Sequence, residues 1–102
     1  MKSIEISSIQ VVPIKPQNGL VGFASAIIND QFYIGCIAIY TCPKNHLGFR
    51  LVFPNKKLPS GQAIDVFHPV SRDSGDLIEE TIIKEYLKLM DNFGGGHVPD
   101  RF

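Results

Sequence analysis

The chain has 102 residues, room for one domain but not for two with separate cores. With 44% apolar and 20% charged residues it is no disordered chain, and no apolar run approaches the roughly 18–20 residues that span a bilayer. Ten basic residues balance ten acidic ones, and a net charge of zero argues against strong unspecific attraction to nucleic acid.

Met1-Lys2-Ser3-Ile4-Glu5 lacks the basic-then-apolar pattern of a secretory leader, so a cytoplasmic protein is expected. Ile4, Ile6, Ile9, Val11 and Ile14 alternate as a strand does, with a phase slip near Ser7-Ser8, and the strand ends at Pro13 and Pro16. Pro16-Gln17-Asn18-Gly19 is a turn, because Asn-Gly accepts positive φ at low cost. Leu20 to Ile28 is the second strand, and Asn29-Asp30 makes a tight hairpin into the third, Gln31 to Thr41. In the third strand Phe32 and Ile34 share a face, but Ile37 and Ile39 lie an odd offset away. A β-bulge near Gly35-Cys36 restores the phase.

Cys42 to His46 is read as a loop, Leu47 to Phe53 as a fourth strand, and Pro54 to Gly61 as an exposed loop. Ala63 to Phe67 is a short strand stopping at Pro69. Asp76 to Met90 is the one helix. Its apolar stripe is Ile78, Ile82, Tyr86 and Leu89, widened by Leu77, Ile83, Leu87 and Met90, and Ser74 or Asp76 caps its start. After Gly94-Gly95-Gly96 a flexible tail is expected, which places the domain at 1–91 and the tail at 92–102. The fold class is therefore α+β: an antiparallel sheet of about five strands with one C-terminal helix. A sheet this small leaves edges exposed, and a homodimer is expected to cover them.

Little in the chain resembles catalytic chemistry. Cys36 and Cys42 lack metal spacing and read as packing thiols; Cys42 with His46 falls short of a zinc set. His68, with Asp65 before it and Ser71 after, has no nucleophile elbow or metal motif around it and reads as a hydrogen-bonded junction residue. Glu79, Glu80 and Glu85 are expected to face solvent. No enzyme, cofactor, metal, membrane or small-molecule substrate is expected. Charge, however, is unevenly spread. Residues 43–61 hold Lys44, Arg50, Lys56 and Lys57 with no acid, whereas 62–83 hold Asp65, Asp73, Asp76, Glu79 and Glu80 against Arg72 alone. A basic loop beside a sheet can contact phosphates without reading bases.

The run Gly48-Phe49-Arg50-Leu51-Val52-Phe53-Pro54-Asn55-Lys56-Lys57-Leu58-Pro59-Ser60-Gly61 resembles a segment of the SpoVG family (stage V sporulation protein G). There a glycine-led strand ends in proline, a small polar residue, two basic residues and a Pro-x-Gly turn. Asp65-Val66-Phe67-His68-Pro69-Val70 is similar to that family's Asp-x-x-His-Pro signature, and Glu85-Tyr86, Phe23-Ala24-Ser25 and Asn29-Asp30-Gln31-Phe32 fit its helix and second and third strands. The resemblance spans residues 4 to 89. It implies a homodimeric, non-enzymatic DNA-binding regulator, in some cases RNA-binding, linked to sporulation and septation. Carried over by position, it puts Lys56 and Lys57 in the basic loop and Ser71 to Asp76 in the approach to the helix. Arg50, Lys56, Lys57 and Arg72 are the candidate phosphate contacts. The chain departs from the family before the helix, where Arg72-Asp73-Ser74-Gly75-Asp76 replaces a basic pair with hydroxyl residues. A protein-interaction module on the same fold, with nucleic-acid binding lost, is the alternative.

Overall fold

Two tight turns with positive-φ residues set the architecture. Asn18 and Gly19 (φ 53° and 89°) join β1 (Ile6–Gln17) to β2 (Leu20–Ile28), and Asn29 and Asp30 (φ 53° and 55°) join β2 to β3 (Phe32–Thr41). Both pairs match the turn type whose twist suits a β-hairpin. β4 (Phe49–Val52) completes an antiparallel sheet in the order β1-β2-β3-β4, in a computed structural model that describes residues 4–91. The expected tail, 92–102, lies outside the described residues. Asn29 also ties down the chain before β1. Its side-chain oxygen accepts from the Glu5 amide, and its own amide donates to the Glu5 carbonyl, both at 2.8 Å.

Both expected phase slips are bulges. Between the pairs Ser7–Ile27 and Gln10–Ser25, two residues of β1 oppose Ala26 alone, and Ser8 takes φ 50°. Between Ala26–Ile34 and Ala24–Ile37, Gly35 and Cys36 oppose Ser25 alone, and Cys36 takes φ 56°. The extra residues turn Ile34, Ile37 and Ile39 onto one face, where all three are buried.

The helix α1 (Arg72–Asp91) covers that face. Ile78, Ile82 and Tyr86 are buried in one cluster with Ile37, Ile39, Ala24 and Ala26, and Ile82 and Ile83 are fully buried. Tyr86 meets Phe49 edge-on at 5.2 Å. It also lies over Gly22, where an added Cβ would come within 3.0 Å of the Val12 carbonyl oxygen and 3.7 Å of the Tyr86 ring. The stripe is narrower than its sequence pattern, since Leu77 and Leu87 stay more than a third exposed. Asn45 locks the β3–β4 loop to the helix by accepting from the Leu47 amide (2.8 Å) and donating to Glu79 (3.4 Å).

Three expectations are corrected here. The helix starts at Arg72, four residues before Asp76, and its cap is Ser71, whose hydroxyl oxygen accepts from the Ser74 amide at 3.1 Å. Pro69 settles on this first turn, its Cγ 3.3 Å from where a Gly75 Cβ would stand, so the turn can close only with glycine there or a small shift. Second, the segment read as a loop from Pro54 to Gly61 contains β5 (Asn55–Lys57), which pairs with β6 (Ala63–Asp65) as a separate two-stranded sheet. The fold is α+β with a four-stranded antiparallel sheet and this hairpin, in place of one sheet of about five strands. Third, Cys36 is exposed, so it is not a packing thiol, and Cys42 is half-buried.

Candidate functional site

The four candidate cations come from three elements. Arg50 is exposed on β4, opposite Tyr40 of β3, and its guanidinium lies 5.1 Å from the Tyr40 ring centre. That distance permits a cation–π contact, and the ring holds the charge on the sheet face turned away from the helix. Lys56 and Lys57 are exposed on β5, and Arg72 is exposed at the first position of α1. Among the described residues none of the four makes an ion pair with a carboxylate. Glu80 and Lys84, by contrast, pair along the helix at 3.3 Å.

Pairing within the hairpin divides the two lysines. Successive residues of a strand point to opposite faces. Lys56 therefore shares a face with its partner Ile64, while Lys57 shares the other with Asn55, Ala63 and Asp65. The Asp65 carboxylate lies 3.7 Å from His68 Nε2, and both side chains are more than half exposed. Lys57 thus stands on a face that carries an acid, and Lys56 on one that does not. A continuous loop, as read from the sequence, would have left the pair free to act as one patch; the ladder prevents it.

His68 is the junction residue expected: its Nδ1 lies 3.1 Å from the Pro69 carbonyl oxygen, the nitrogen donating in that tautomer. Of Ser71 to Asp76, expected to lead into the helix, Ser71 is its cap and Arg72 to Asp76 already belong to it. Asp73 lies within the first turn, where it favours the helix dipole and repels a phosphate. The carboxylates expected in solvent divide: Glu80 is exposed, whereas Glu79 and Glu85 are half-buried. Among the described residues no three His, Cys, Asp or Glu side chains gather as a metal set. No described helix is long and apolar enough to cross a membrane.

Sequence reasoning missed two surfaces. Ile64, Val66 and Val70, on and after β6, are 46%, 64% and 94% exposed, unusual for aliphatic residues so close in the chain. The other is the uncovered face of the sheet, which carries Phe23, Tyr33 and Tyr40 beside Arg50. A signal for it was present in the alternation: residues out of phase with the buried isoleucines must face away from the helix.

Against known proteins, the SpoVG family model matches residues 4–88. A protein of Phytoplasma australiense named "Putative septation protein SpoVG" is 27% identical over 87% of this chain and 90% of its own length. Proteins of the same name from Acholeplasma laidlawii and Archaeoglobus fulgidus are each 27% identical. They cover 86% and 80% of this chain, and 90% and 93% of their own lengths.

Proposed function

The chain belongs to the SpoVG family, and we propose that it is a non-enzymatic, cytoplasmic regulator that binds nucleic acid as a homodimer, in the septation role its relatives' name describes. One observation carries this reading: Arg50, Lys56, Lys57 and Arg72 are all exposed and, among the described residues, all lack a carboxylate partner. Such cations are available to displace counterions from a phosphate backbone. Most of the acids lie along α1, which begins with Arg72, while Arg50 on β4 and Lys56 on its face of the hairpin share no strand face with an acid. Self-association is supported by the exposed Ile64, Val66 and Val70, and by β1, a twelve-residue edge strand whose only charged residue is Lys15.

The test is binding to random duplex DNA, and to RNA, across a salt series. Affinity falling steeply with salt supports the reading, with about 0.9 unit of log–log slope per duplex phosphate contact. No binding at low salt would overturn it and favour a protein-interaction module. That second reading rests on the same aliphatic residues and on Asp73 at the helix start, which disfavours phosphate there.

A further inference from the structure

We propose that the face of the four-stranded sheet turned away from the helix binds unpaired bases of single-stranded nucleic acid. A base would stack on Tyr33 and be met at its edge by Gln10 and Ser25. The inference rests on the nucleic-acid reading above and adds a second mode of contact, to bases as well as phosphates.

Tyr33 carries the argument. It is 72% exposed near the start of β3, where only β2 flanks the strand because β4 pairs with Ala38 to Thr41 alone. A Cβ built on Gly35 would stand 2.7 Å from its hydroxyl oxygen and 2.9 Å from its Cε2. The ring therefore reaches along the strand to Gly35, with its Cε2–hydroxyl edge against the glycine and most of its surface left to solvent. Gly35 does not have a positive φ, so the backbone does not demand glycine there. What the missing side chain provides is room for the edge of the ring. An exposed aromatic ring on a β-sheet face is a surface on which any base can stack.

Beside the ring is an open cleft of about 260 Å³, bounded by Gln10, Val12, Phe23, Ser25, Tyr33 and Cys36. Its apolar walls suit the faces of a heterocycle. The Gln10 amide, which both donates and accepts, and the Ser25 hydroxyl suit its polar edge. These two residues are paired across β1 and β2, so they reach the cleft side by side. Charge agrees with a polyanion as occupant. The four strands contain no Asp or Glu at all, and Arg50 stands on the same face over Tyr40. An apolar surface of a second copy, seated here, would cover Gln10 and Ser25 without offering them hydrogen bonds.

The experiment compares an oligo(dT) of about fifteen nucleotides, an abasic strand of equal length and a duplex, at one salt concentration and then across a series. The parent should prefer the base-bearing strand to the abasic one. Tyr33→Ala should weaken oligo(dT) binding at least about fivefold, given what one stacked base contributes. It should leave duplex affinity and the salt slope unchanged, and Tyr33→Phe should bind like the parent. Bound oligo(dT) should also slow alkylation of Cys36 but not of Cys42. A melting curve checks the fold, which the exposed Tyr33 ring does not hold together. Equal binding of abasic and base-bearing strands overturns the proposal, as does a Tyr33→Ala variant that binds oligo(dT) like the parent. A Tyr33→Ala variant that loses its oligomeric mass also overturns it, by making this face a contact between copies. If duplex and abasic strands still bind with a steep salt slope, the phosphate reading survives that failure. If no nucleic acid binds at any salt, both fall together.

Discussion

Replacing the two hairpin lysines one at a time separates the contribution of each face of the β5–β6 ladder. Lys56 and Lys57 are exposed, and neither belongs to the core. Lys56→Ala and Lys57→Ala should each change stability by no more than about 0.5 kcal/mol. At this chain length that shifts the melting temperature by about 2–4 °C. Effects on binding should be unequal. Lys56 projects on the face of Ile64, which has no acid, whereas Lys57 shares its face with Asp65. A phosphate approaching Lys57 also meets that carboxylate, so most of the attraction cancels. Lys56→Ala should therefore flatten the salt dependence of duplex binding by about 0.9 log–log unit, and Lys57→Ala by clearly less. Over the fourfold change from 50 to 200 mM salt, a slope difference of about 0.9 amounts to about 3.5-fold in affinity, well within reach of fluorescence anisotropy. Asp65→Asn should make Lys57→Ala as costly as Lys56→Ala. If Lys56→Ala binds as the parent does with an unchanged slope, the hairpin is not the phosphate site. Equal losses from the two single variants would refute the argument from opposite faces.

Ile82→Ala, at a fully buried helix position against the sheet, should cost about 2–5 kcal/mol in a denaturant titration. Ser71→Ala removes the helix cap and should cost about 1 kcal/mol, while Ser74→Ala, at a position expected from sequence to cap the helix, should cost less. Burial raises the Tyr86 phenol above its ordinary 10.0. Its contribution is thus complete below the unfolded value near 10 and is lost as pH rises through the higher folded value, because there the unfolded chain releases the proton first. Stability measured by urea titration should therefore fall above pH 10, and Tyr86→Phe should make that fall shallower than in the parent. Light scattering at micromolar concentration should give about twice the 11.3 kDa chain mass, and a clean monomer would refute the dimer.

Much of the fold was legible in the residues because it is written as hydrophobic phase. β2 coincides with the run from Leu20 to Ile28, and the bulges at Ser8 and Cys36 are visible as breaks in a period of two. A buried face tolerates no slip without a compensating extra residue, so the break itself is the signal. The buried helix positions Ile78, Ile82, Ile83 and Tyr86 are those of the expected stripe. Where side chains are solvated the pattern carries no phase, and tertiary structure decided. Arg72-Asp73-Ser74-Gly75 has no apolar periodicity, so only the Ser71 cap and the Pro69–Gly75 contact place the first helical turn. β5 and β6 are exposed at every position, and backbone pairing alone makes them strands. The residue types of Arg50, Lys56, Lys57 and Arg72 marked them as candidates, but which cation faces an acid follows from a ladder register that composition does not encode. The Tyr33 ring against Gly35 is the same kind of outcome. Gly35 and Tyr33 are two residues apart and so share a strand face, but only the side-chain conformation shows that the ring edge fills the space above the glycine.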